Sequence, residues 1–184
     1  MTSGNVLVIM GSVRAGRLCS EITEWVCEVG QAEIGIPLEI VDLRHWNLPM
    51  DDEPAQPILG RYEQAHTITW SEKVKAAAGF VFVTPQYNGG YPAALKNALD
   101  HLYTEWSDKP ALIVSYGGGG GSQCAEQLRS VLMRFKMDLV SCMPPLRLTH
   151  KAIESQEIDA REELLPQQSA VANGFRDLAT KFAN

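Results

Sequence analysis

Nine residues, Thr84-Pro85-Gln86-Tyr87-Asn88-Gly89-Gly90-Tyr91-Pro92, lie between the apolar run 80–83 and an amphipathic stretch over 93–106. Tyr87 offers a flat aromatic face, and the amides of Gln86 and Asn88 offer donors and acceptors together. Gly89 and Gly90 let the main chain come close to a bound molecule. That mixture suits a planar, hydrogen-bonding heterocycle better than a sugar or a metal.

Two other segments carry complementary chemistry. Gly11-Ser12-Val13-Arg14-Ala15-Gly16-Arg17-Leu18-Cys19-Ser20 combines the hydroxyls of Ser12 and Ser20 with the guanidinium groups of Arg14 and Arg17. It also leads into a helix, whose free amides and dipole favour a phosphate. It contains neither G-x-x-x-x-G-K-[ST] nor G-x-G-x-x-G, and two arginines are equally compatible with a solvated surface. Ser115-Tyr116-Gly117-Gly118-Gly119-Gly120-Gly121-Ser122 presents consecutive glycine amides between a strand and a helix, an anion-binding concavity. By composition alone the same run is a flexible linker.

These segments need a scaffold that brings them together. Residues 6–10 are an unbroken apolar run of strand length, the pattern of a strand covered on both faces. Ser20 is placed to cap a helix carrying Ile22, Trp25, Val26 and Val29 on one side. Further strands are expected at 38–43, 80–83, 111–116 and 139–142, the last ended by Pro144-Pro145. Helices are expected over 62–78, 93–106, 122–135 and 166–182, with 147–159 as a loop. Alternating strands and helices imply an α/β fold, a flavodoxin-like three-layer sandwich. Its five-stranded parallel sheet would have the order 2-1-3-4-5, with helices on both faces. The three segments then follow strands 1, 3 and 4, at the carboxyl edge where such sheets bind ligands.

Composition bounds the class. A chain of 184 residues with 45% hydrophobic and 21% charged residues fits a single domain spanning 1–184. A net charge of −6 argues against a nucleic-acid binder. No apolar stretch approaches the roughly 20 residues that span a bilayer, so no membrane association is expected. The N-terminus lacks a basic region before its apolar run, and Cys19, Cys27, Cys124 and Cys142 form no C-x-x-C pair. A cytoplasmic protein with reduced thiols is the expectation.

The Gly11-Ser12-x-Arg14 loop resembles the NADPH-dependent FMN reductase family. So do Pro85-Gln86-Tyr87-Asn88, Tyr91-Pro92-Ala93-Ala94-Leu95-Lys96-Asn97-Ala98-Leu99-Asp100 and the Tyr116-Gly117-Gly118 turn. That family includes bacterial chromate and quinone reductases, azoreductases and fungal quinone reductases, and the likeness covers residues 6–142. The resemblance implies noncovalent FMN, NADPH or NADH as electron donor, and a quinone-like small-molecule acceptor reduced by two-electron transfer. It also implies a homodimer or homotetramer. The phosphate would lie on Ser12, Arg14 and the turn through Arg17, Cys19 and Ser20. The isoalloxazine would lie against Pro85, Gln86, Tyr87 and Asn88 on one side and Tyr116, Gly117, Gly118 and Gly119 on the other. The family loop continues Gly-Ser-x-Arg-x-x-Ser-x-Asn, whereas Arg17 and Cys19 stand here at the second serine and the asparagine. This departure resembles the fungal quinone-reductase branch, with Arg17 able to offer a charge-assisted bond instead. No side chain is assigned as catalytic acid or base. Rival readings are a flavodoxin-like electron carrier and a flavin-responsive protein-binding module.

Other reactive residues read as structural. His45, His66, His101 and His150 are scattered without metal-ligand spacing, so no metal is expected, and His101 falls on the polar side of the 93–106 helix. Lys96 and Asp100 form an (i, i+4) pair worth about 0.2–0.5 kcal/mol. Cys124 reads as a small buried residue. Asp51, Asp52 and Glu53 read as a solvated acidic loop, with rimming of a substrate mouth as the alternative, and Trp46 and Trp106 as core.

Overall fold

The two faces of the central strands pack against different sets of helices. In a computed structural model describing residues 4–183, parallel strands β1 (Val6–Met10), β2 (Leu38–Asp42), β3 (Gly79–Pro85) and β4 (Pro110–Gly117) form the body of one sheet. Two short strands, β5 (Asp138–Leu139) and β6 (Pro145–Arg147), complete it. The order is β2-β1-β3-β4-β5, with β6 also paired to β4, so the expected 2-1-3-4-5 topology is the one observed.

Helices α1 (Cys19–Gln31) and α7 (Gln168–Phe182) cover one face. They bury Val6, Val8, Val81, Val83, Leu112 and Val114. Helices α2 (Ala65–Ala76), α3 (Ala93–Asp100) and α4 (Ser122–Arg134) cover the other, over Leu7, Ile9, Phe80, Phe82 and Ile113. This period-two alternation, apolar on both faces, explains why β1 and β3 read as continuous hydrophobic runs. Trp70 and Trp106 are fully buried in the second layer, their indole N–H groups donating to the carbonyls of Ala98 and Leu99. That pairing lets a large polar-tipped ring enter the core without an orphaned donor.

Several boundaries differ from the sequence reading. The expected strand at 139–142 is replaced by two segments. β5 pairs the start of β4 through Asp138 and Leu139, and β6 pairs its end through Pro145, Leu146 and Arg147. Pro145 therefore begins the second segment rather than ending the strand. An edge position tolerates it, because the missing N–H is not required there. The expected helix over 93–106 stops at Asp100, and a separate 3-10 turn, Thr104–Trp106, follows. The helix expected from 62 begins at Ala65. The expected loop 147–159 contains α5 (His150–Ser155), and α6 (Ala160–Glu163) precedes the closing helix.

Candidate functional site

The loops after β1, β3 and β4 meet at the carboxyl edge of the sheet. They bound a cavity of about 240 Å³ lined by Arg14, Arg17, Pro85, Gln86, Tyr87 and Tyr116, with Gly117 and Gly118 beside them. Sequence reasoning missed Leu148, Ile153 and Gln156, which the segment after β6 folds over the same cavity. Gln156 presses against Gly16 so closely that a Cβ there would lie 1.9 Å from its Oε1.

The loop after β1 ends in an open helix terminus. Ser20 does not cap α1; it lies within the first turn, and the N-cap position is held by Leu18, whose side chain makes no capping bond. The first amides of α1 therefore need an acceptor from elsewhere. By contrast, Thr149 caps α5 through the Ala152 amide, and Asp159 caps α6 through the amides of Arg161 and Glu162.

Asp42, at the carboxyl end of β2, organises this loop. Its carboxylate accepts from Arg17, with Nη1 to Oδ1 at 2.8 Å, and from the Arg44 amide at 2.9 Å. Arg17 also donates to the Ser12 carbonyl at 2.7 Å, and Arg44 donates to the carbonyls of Val13 and Arg14. Burial raises the Asp42 carboxyl, but the Arg17 and Arg44 hydrogen bonds and the Arg17 charge outweigh it, leaving Asp42 below its ordinary value. The Arg17 guanidinium is thus directed at Asp42 and the loop backbone. Asp42 and Arg44 were not singled out from the sequence, although an acid at a strand's carboxyl end in this topology was a usable signal.

Arg14 is the guanidinium left to face the crevice. Its side chain is exposed and its Cζ lies 4.3 Å over the Tyr87 ring, a cation–π contact. Ser12 is buried, and its hydroxyl shares a 2.7 Å hydrogen bond with the Tyr87 hydroxyl. Cys19 is fully buried, its thiol directed to the Val83 carbonyl and Thr23, so only its backbone faces the loop. Burial pushes the Cys19 thiol up and the Tyr116 phenol up, and the neighbouring Cys19 raises Tyr116 further. Both stay protonated, adding no negative charge beneath the loop.

The loop after β3 is a two-residue turn. Tyr87 and Gly90 exchange backbone hydrogen bonds at 2.8 and 3.0 Å, with Asn88 (φ 50°) and Gly89 (φ 84°) both left-handed. Asn-Gly is the pair this turn type favours, because both central residues need positive φ. Gln86 pairs through its backbone with Tyr116, while its side-chain Oε1 accepts from the Cys124 amide in the first turn of α4. The loop after β4 is equally fixed. Gly121 has φ 77°, and a Cβ there would sit 3.1 Å from Ser115 Cβ and from the Tyr116 backbone. A flexible linker is incompatible with that packing. Gly118 meets only Ile153, and Gly119 has open space around its Cβ direction.

Three expectations about side residues change. His101 is buried, not exposed, and its Nδ1 lies 2.8 Å from the Asn97 carbonyl. His66 and His101 are not scattered: both approach Asp52. The acidic loop is not simply solvated, since Glu53 accepts from the amides of Glu63 and Gln64 ahead of α2. Cys124 is buried, with its thiol pushed up to about 11 by that burial.

The residues present fit a phosphorylated planar ring. Uncapped α1 amides and Arg14 stand at one end of the cavity, while the Pro85–Tyr87 backbone and Tyr116-Gly117-Gly118 flank its body. The family model described as NADPH-dependent FMN reductase matches residues 5–143. An NAD(P)H-dependent FMN reductase of Schizosaccharomyces pombe is 50% identical over 179 residues, covering 96% of this chain and 90% of that protein. A quinone reductase of Escherichia coli is 29% identical over 136 residues, covering 70% and 69%. Among solved structures, the flavoenzyme NAD(P)H:(acceptor) oxidoreductase of Paracoccus denitrificans superposes with a TM-score of 0.71 at 21% identity, covering 97% and 98%.

Proposed function

We infer the activity from one premise: the chain belongs to the NADPH-dependent FMN reductase family. It is an NAD(P)H-dependent, FMN-containing oxidoreductase, with quinones as acceptors. The chemistry supplied by the bound cofactor is two-electron transfer from NAD(P)H to the acceptor.

The protein's part is placement and electrostatics. The observation that carries this reading is the uncapped start of α1 inside the crevice, beside Arg14. Its amides and the Arg14 guanidinium hold the phosphate, and the dipole of α1 favours that charge. Arg17 acts on the loop rather than on the phosphate: tied to Asp42, it holds the Ser12 carbonyl and keeps the loop open. Pro85, the Gln86 backbone and Tyr87 form one wall for the ring, and Tyr116, Gly117 and Gly118 form the other. Asn88 shapes the Tyr87–Gly90 turn, and Gly119 continues the β4 loop. Ser12 orients Tyr87 through its hydroxyl, and Ser20 contributes a first-turn amide.

The tail completes the site from above, with Ile153 and Gln156 limiting access over Gly118 and Gly16. A homo-oligomer, dimeric or tetrameric, fits the exposed Met50, Ile58 and Leu59 on the β2–α2 connection. A cytoplasmic location fits the unpaired cysteines, and among the described residues no helix is long and apolar enough to cross a membrane.

Anaerobic mixing of the FMN-loaded protein with NADPH tests this function. Bleaching of the visible flavin band within seconds, reversed by adding a quinone, is the expected result. A band that persists for many minutes would mark an electron carrier instead.

A further inference from the structure

Away from the crevice, the fold gathers three groups that lie far apart in the chain. Asp52 comes from the β2–α2 connection, His66 from the first turn of α2, and His101 from the position just after α3. One ligand atom of each lies within 4.8 Å of the other two. His66 Nε2 stands 3.0 Å from the Asp52 carboxylate, and His101 Nε2 stands 4.0 Å from it.

The protonation pattern of His101 makes this arrangement informative. A backbone carbonyl can only accept, so the 2.8 Å contact with the Asn97 carbonyl places the imidazole proton on Nδ1. In the neutral imidazole the other nitrogen, Nε2, is then a bare lone pair. It belongs to a side chain only 4% exposed, and among the described residues it has no hydrogen-bond partner. It faces a carboxylate, which is also electron-rich. Two acceptors turned toward each other, the imidazole buried and the carboxylate partly exposed, are stabilised by something positive between them.

We propose that Asp52, His66 and His101 form a binding site for a zinc-class divalent cation, with His66 Nε2, His101 Nε2 and an Asp52 oxygen as ligands. Two imidazoles select against magnesium and calcium, which prefer all-oxygen shells, and favour a late first-row metal. An Nδ1–H donated to a backbone carbonyl is the arrangement that fixes a ligating imidazole for metal binding through Nε2. Zinc bonds of about 2.0–2.2 Å place tetrahedral ligands roughly 3.3 Å apart. The widest separation, within 4.8 Å, therefore needs to close by up to about 1.5 Å, within reach of side-chain rotation. Asp52 and His101 also line a cavity of about 310 Å³ whose lining includes Asp51, Glu53 and Asp100. These carboxylates add negative potential favourable to a cation and leave room for a water ligand. Such an ion would staple the β2–α2 connection to α2 and α3.

The test is zinc retention by the FMN-loaded protein after chelator treatment, re-exposure to micromolar zinc and dialysis, read by metal analysis. One zinc per chain in the wild type supports the site. His66→Gln and Asp52→Asn should each lose zinc affinity at least about tenfold, the lower end for groups one shell further out. Both should keep bound FMN and the wild-type circular dichroism. His101→Gln should do the same, but His66 and Asp52 are partly exposed, so their variants decide the matter if the buried one misfolds. Zinc that washes out of the wild type, leaving a proton as the only bridge, would overturn the proposal. Equal retention by His66→Gln and Asp52→Asn would overturn it too.

Discussion

Helices α1 and α4 both begin at the carboxyl edge of the sheet, yet their ends are prepared differently. At the start of α4 one amide is already taken: Gln86 Oε1 accepts from the Cys124 amide, and Gly121 is locked against Ser115 and Tyr116. The start of α1 has no side-chain cap, and the loop before it is braced by its own Arg17 and by Arg44, both held by Asp42. Two glycine-containing loops that look interchangeable as anion sites in sequence thus divide the work. One end is left open for a phosphate. The other is a finished wall against which a ring can rest.

The most damaging single change should fall on the brace. Arg17→Ala leaves the Asp42 carboxylate without its main partner and should cost about 3 kcal/mol of stability in urea unfolding, the low end for breaking a buried ion pair. A loss confined to FMN affinity, with stability unchanged, would mean that Arg17 serves the phosphate and not the loop. Gly121→Val tests the finished wall. A β-branched residue forced to φ 77° should lose about 2 kcal/mol of stability, within the range for left-handed non-glycine residues; a variant as stable as the parent would mean the β4 loop is free to relax.

Arg14→Ala should do the opposite of Arg17→Ala. Apoprotein stability should barely move, while FMN binding weakens by about 2 kcal/mol, the scale of one charged hydrogen bond, as read by quenching of flavin fluorescence. Gln86→Ala should fray α4 and cost about 1 kcal/mol, the value of a typical helix cap, with less effect on FMN than Arg14→Ala.

The same brace also has an acid signature. Because the folded Asp42 carboxyl lies below its ordinary value, its contribution is full above the unfolded value and is lost as pH falls through the folded one. Asp42→Asn should therefore be less stable at neutral pH and show a shallower decline below about pH 4. Parallel acid profiles for the two proteins would contradict the bracing role.

Much of this division was visible in the chain itself. Residues 6–10 and 80–83 are apolar at every position because both faces are buried, so β1 and β3, and the loops after them, could be placed directly. The fifth position was not legible. Its pairing is split between Asp138–Leu139 and Pro145–Arg147, and neither piece is long enough to show a period. His101 was misplaced because its face of α3 is covered from far away in the chain: Asp52 of the β2–α2 connection and His66 of α2 pack over it, and helical spacing alone does not reveal that cover. Leu148, Ile153 and Gln156 carry no motif. They reach the cavity only because β6 returns the tail to the carboxyl edge beside β4. Gln86 was read as a ring contact, but its side chain is engaged by α4, a partner thirty-eight positions away that composition cannot reveal.

The direct test compares FMN with riboflavin, which differs only by the phosphate. If the open end of α1 and Arg14 grip that group, FMN binds roughly 100-fold or more tightly than riboflavin, as expected for charge-assisted bonds of about 1.5–3 kcal/mol each. In Arg14→Ala that preference should shrink markedly while riboflavin affinity stays the same. Riboflavin binding as tightly as FMN to the wild-type protein would contradict a phosphate seat at the start of α1.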